Sequence, residues 1–143
     1  MLRRLKNLGA SNENLIDVYI KQIRSVLVLA VPVWHPSLTV VDKVVTERVQ
    51  RAALQLILGY DYQSYASALD VCNILTLEDR RKKLCSKFAS KSVLQPKHRN
   101  WFNGDSKVTV TRQKQPKFCH VISRTQRFVN SPISYLTRIL NSK

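Results

Sequence analysis

The chain has 143 residues, enough to bury a core without disulfide or metal staples. Hydrophobic residues at 44% exclude a wholly disordered chain, and only 3 Gly and 5 Pro disfavour a turn-dense β architecture. Lys and Arg number 24 against 9 Asp and Glu, a net charge of +15, which points to polyanionic partners, nucleic acid first.

The predicted elements are helical from the start. A first helix begins after Ser11 or Asn12, both good caps. Ile16, Tyr19, Ile20, Ile23, Val26, Leu27 and Ala30 recur at three- and four-residue steps and define one apolar face. Pro32 is expected to end it, with Trp34 as a core anchor in the connector that follows. Thr39 caps a second helix with Asp42 as its capping-box partner, and Gly59 stops it. Its buried stripe is read as Val41, Val45, Val49, Ala52, Ala53, Leu56 and Ile57. A short helical turn covers Ser64 to Leu69, after a tyrosine cluster of Tyr60, Tyr62 and Tyr65.

Thr76 with Asp79 opens a long helix from Leu77 to Leu94. Arg80, Lys83, Lys87 and Lys91 follow at steps of three and four, within an arc of roughly 80° at about 100° per residue. That is a cationic ridge suited to phosphates by counterion release, and Arg81 and Lys82 widen it. Leu84, Cys85 and Phe88 are the expected docking stripe. Arg48 and Arg51 on the second helix are further nucleic-acid candidates.

Composition shifts near Gln95. Residues 1–95 hold 14 basic and 8 acidic residues, and 96–143 hold 10 and 1. The expected organisation is therefore all-α: a small helical bundle over 1–95, then an extended, largely irregular basic tail over 96–143. Ser131 and Pro132 open a short C-terminal helix in that tail. Its aromatics, Trp101, Phe102, Phe118 and Phe128, interleave with cations in a way that can support base stacking.

Catalytic signals are absent from the pattern. No Walker, dinucleotide, HExxH or GxSxG motif occurs, and the adjacent Glu78 and Asp79 suit the first turn of a helix. Cys72, Cys85 and Cys119, with no CxxC spacing, read as reduced intracellular thiols rather than metal ligands. No cofactor, catalytic residue or metal site is expected, and the longest apolar run, 26–34, is too short to span a bilayer. Nucleus or cytoplasm is the expected compartment.

Several blocks, in order, are similar to the region downstream of the palm in LINE-type (non-LTR) retrotransposon reverse transcriptases. They are VWHPSLT at 33–39, VQRAALQLILG at 49–59, SYASAL at 64–69, LEDRRKKLCSKFA at 77–89 and SPISYLTRILN at 131–141. The resemblance runs across nearly the whole chain. It implies a thumb-like helical region with a C-terminal extension that grips RNA, DNA or an RNA–DNA template–primer. The family's aromatic-x-Asp-Asp palm motif does not occur here, so the chain is expected not to polymerise DNA. It is read as a non-catalytic, nucleic-acid-binding fragment of an RNA-directed DNA polymerase, with a palm domain or a second copy as a further partner through exposed apolar surface. The alternatives are an inert retroelement remnant and a helical module that binds a protein or itself.

Overall fold

A computed structural model describes residues 1–102, 118 and 124–142, apart from the side chain of Arg99. The protein is all-α, with no strand among the described residues. In chain order the helices are α1 (Leu2–Asn7), α2 (Asn12–Val18), α3 (Ser25–Leu27), α4 (Val31–Trp34), α5 (Val40–Leu58), α6 (Tyr65–Val71), α7 (Leu77–Leu94), α8 (Gln126–Val129) and α9 (Pro132–Asn141). A π-helical turn, Tyr19–Arg24, joins α2 to α3, and short 3-10 turns follow α4, α5 and α7.

Two compact units divide the chain. The first is Met1–Leu29 with Thr39–Arg80; the second is Ala30–Leu38 with Arg81–Lys143. The boundary expected near Gln95 lies inside the second unit. The segment read as a connector between the first two helices also belongs there. Of the irregular tail expected over 96–143, residues 103–117, 119–123 and 143 lie outside those described, while the described part carries the 3-10 turn Pro96–Trp101 and two helices, α8 and the expected C-terminal α9.

In the first unit, α1, α2 and α6 pack on α5. Leu15, Tyr19, Leu54, Ile57 and Ala68 are buried there. The caps follow the sequence. The Ser11 side chain accepts from Asn14 N at 3.4 Å. Thr39 Oγ1 accepts from Asp42 N at 3.2 Å, while Thr39 N donates back to Asp42 at 3.1 Å. That bonding, from the Thr39 hydroxyl first and then its backbone, holds the Asp42 carboxyl below its usual range. Thr76 Oγ1 accepts from Asp79 N at 3.1 Å, and α7 begins and ends where the pattern placed it.

Gly59 has φ +59, a left-handed value, and Lys6 Nζ stands 2.8 Å from where a Cβ would sit. That ammonium donates to Leu56 O at 2.6 Å and Ile57 O at 3.0 Å, capping the end of α5. At the end of α6, Asn73 takes the left-handed conformation and Ile74 N reaches back to Leu69 O at 2.9 Å, closing that helix as well.

Three expectations are corrected. The first helix is not continuous: it passes through the π turn, and the left-handed Ala30 (φ +51) interrupts the path to α4. Pro32 opens α4 instead of ending a helix, because a missing N–H costs nothing in a first turn. The stripe of α5 turns elsewhere. Gln50, Ala53, Leu54, Ile57 and Leu58 are buried, whereas Val41, Val45 and Val49 are exposed.

Gln50 explains that last shift. Its Oε1 accepts from Tyr19 OH at 2.9 Å, and its Nε2 donates to Tyr65 OH at 3.1 Å and Leu75 O at 3.1 Å. Tyr65 OH donates to Glu47 Oε1, which also accepts from Leu77 N at 3.2 Å. Arg24 adds a 2.7 Å bond to Leu75 O. Tyr19 and Arg24 are five residues apart, which in an α-helix would separate them by about 140°. The wider i→i+5 turn lets both reach this cluster. Burial pushes the Tyr19 phenol up to about 12; burial and the Glu47 bond also push Tyr65 upward. Of the three clustered tyrosines, Tyr62 and Tyr65 pack against the core and Tyr65 joins the network, whereas Tyr60 is fully exposed.

In the second unit, α9 packs on α4, α8 and the 3-10 turn His35–Ser37. His35 is buried and meets Tyr135 edge-on, with ring centroids 5.6 Å apart; Trp34, the expected anchor, is only partly buried. The Asn141 amide pairs twice with the backbone of Phe118, at 3.0 and 3.1 Å. The Ser131 hydroxyl bonds the Ser134 hydroxyl at 3.0 Å, with no side-chain cap to the backbone.

Candidate nucleic-acid interface

The body of α7 carries the predicted ridge. Its buried residues are Leu77, Arg81, Cys85, Ala89 and Ser92. At about 100° per residue their common direction lies roughly 140° around the helix from that of Lys83, Lys87 and Lys91. Those three lysines are exposed. With Ser86, Ser90 and Leu94 they line a shallow depression of about 520 Å³ along one face. Small residues at 86 and 90 leave space between the ammonium groups.

Other candidates separate from this face. Arg81 is fully buried, which withdraws it from a phosphate-binding surface. Its position four residues from both Leu77 and Cys85 puts it on the buried stripe; the basic run alone does not reveal this. Arg80 is partly buried and belongs to the first unit. Arg48 and Arg51 are exposed on α5 in that unit, and the Arg51 guanidinium lies 5.1 Å from the centre of the Tyr65 ring. Neither lines the depression on α7.

The tail aromatics also sort themselves. Phe102 is buried and meets Phe118 edge-on at 6.0 Å, so this pair serves packing. Trp101 and Phe128 instead share a cleft with Phe88, which was expected on the docking stripe. The cysteines offer no reactive thiol among those described. Burial pushes Cys85 up to about 11, partly offset by the Arg81 charge, and burial also raises Cys72. Cys119 lies outside the described residues.

Among the described residues, no group of three or more His, Cys, Asp or Glu could hold a metal ion. None of their helices is long and apolar enough to cross a membrane. No protein-family model, curated protein or solved structure matches the chain.

The structural division concentrates charge. The first unit holds nine basic and eight acidic residues; the second holds fifteen and one. The exposed lysine face therefore belongs to a unit whose charged residues are almost all cations, the composition that favours a polyanion.

Proposed function

We propose that this chain is a non-catalytic nucleic-acid-binding module, a thumb-like part of a retrotransposon reverse transcriptase that grips template–primer backbone. The observation that carries the binding is the row of Lys83, Lys87 and Lys91 along one exposed face of α7. Lysine ammonium groups at helical pitch meet successive phosphates as point charges, and no base-reading group stands among them. Recognition is then of backbone and shape. The resemblance supplies the parent family; the ridge and the charge of the second unit support the contact.

The test is binding to a short RNA–DNA hybrid across a salt series, with Lys83, Lys87 and Lys91 changed together to Gln. The slope of log affinity against log salt is expected to fall by about 2–3, near 0.9 per lost phosphate contact. An unchanged slope would remove the ridge from the interface.

A second reading, a helical protein-interaction module or the remnant of one, has its own support. Val40, Val41, Val44, Val45 and Val49 are all exposed on α5. Valines there are not needed for solubility, and an apolar strip of this kind suits a lost or present protein partner. Self-association measured by sedimentation, relieved by Val41→Lys with Val45→Lys and insensitive to salt, would favour that reading.

A further inference from the structure

The second unit contains a cleft of about 600 Å³, within the range of small-molecule sites. Its walls are apolar and aromatic: Trp101, Phe88, Phe128, Pro132, Ile133 and Leu136. Asn100, Ser131 and Ser134 add the polar groups. Trp101 is 40% exposed and Phe128 45% exposed, so these rings line an accessible surface.

We propose that this cleft receives an unpaired nucleobase of a single-stranded nucleic acid whose phosphates are held by the lysines of α7. The inference rests on the nucleic-acid reading and extends it from backbone to base. An apolar aromatic slot alone would suit many occupants. No charged residue among those described lines it, but it opens in a unit whose sequence holds fifteen cations and one carboxylate, which favours an occupant with a flat apolar part and an anionic part outside the cleft. A nucleotide combines those properties, and every base offers a face for stacking.

The local arrangement fits such an occupant. His98 stacks on Trp101 with centroids 4.2 Å apart and an interplanar angle of 17°. Trp101 also lines the cleft, so a base that enters meets an indole already held by a stacked ring. Two of the aromatics directly follow exposed cations, Lys87 before Phe88 and Arg127 before Phe128. Each of those helices thus carries an exposed cation as well as a ring of the cleft, and the backbone of a strand that leaves the cleft along α7 meets Lys87 and Lys91. The Asn100 amide can both donate and accept at a base edge. Stacking governs entry, so little preference among bases is expected.

The experiment compares binding of the full chain to an oligothymidylate of about eight nucleotides and to an abasic strand of equal length and charge. The wild type is expected to bind the oligothymidylate about tenfold more tightly, a typical worth for one stacked base. Trp101→Ala and, separately, Phe128→Ala should each bring that ratio towards one while leaving the abasic affinity in place. Lys83→Gln with Lys87→Gln and Lys91→Gln should weaken both strands alike. Equal binding of the two strands by the wild type overturns the base site and leaves the phosphate surface standing. So does a ratio that survives both aromatic substitutions. Failure to bind either strand overturns the phosphate reading and the base site together.

Discussion

The two units are built from similar helices but differ in what they do with polar groups. The first balances nine cations against eight carboxylates and spends its Gln, Tyr, Glu and Arg side chains on an internal network around Gln50. The second carries fifteen cations and one carboxylate, and its charged groups cannot neutralise one another. Balanced charge leaves a unit little pull on a polyanion, whereas a surplus of one sign attracts one. The division thus separates a nearly neutral part from a strongly cationic one.

The strongest way to test this contrast is to damage the scaffold. Leu54 is fully buried in the first unit. Leu54→Ala is expected to lower unfolding free energy by about 2–5 kcal/mol in urea titration. The salt slope of hybrid binding should stay as it is under conditions where the variant remains folded. A changed slope would mean that the neutral unit shares in the contact. A smaller effect is expected from Thr76→Ala, which removes the cap of α7, the helix that begins in one unit and continues into the other. It should cost about 1 kcal/mol, read as a lowered melting temperature.

Arg48→Gln with Arg51→Gln sharpens the comparison from the binding side. Both residues lie in the balanced unit, and a salt-slope change below about 1 is expected, less than one full phosphate contact. A fall near 2 would restore them as contacts. The smallest effect concerns pH. The Asp42 carboxyl is held below its unfolded value, so its stabilising contribution is complete above the ordinary carboxylate range. It is lost as pH falls through the depressed folded value. Unfolding midpoints of the wild type and Asp42→Asn should converge in acid and separate towards neutrality. A constant gap would show that the carboxylate charge is not what the capping box uses.

Much of this organisation is legible in sequence because it is local. Thr39 with Asp42 and Thr76 with Asp79 announce helix starts three residues in advance, and the lysine spacing of α7 locates its exposed face. Non-local choices are not legible in the same way. The valines of α5 look like a core stripe by period. Gln50 displaces them because Tyr19, Tyr65 and Leu75, 31, 15 and 25 residues away, satisfy its amide. Arg81 reads as surface charge until its neighbours at 77 and 85 prove buried. The residues 30–38 join 81–143 through contacts no local pattern announces, so the charge break near residue 95 understates the division.

The Gln50 network also has a direction. Tyr19 gives its proton to Gln50, whose amide nitrogen points at the Tyr65 oxygen. The Tyr65 proton is thereby committed to Glu47, so the hydroxyl protons run from Tyr19 towards Glu47, with a branch from the Gln50 amide to Leu75 O. A chain of hydroxyls and amides ordered this way has one proton arrangement and no degenerate mirror of it. Gln50→Glu, nearly identical in shape, would replace the amide donor with an acceptor and leave Tyr65 OH and Leu75 O without their shared partner. The position therefore discriminates between two side chains of nearly the same size by donor order and by the charge a carboxylate would bury.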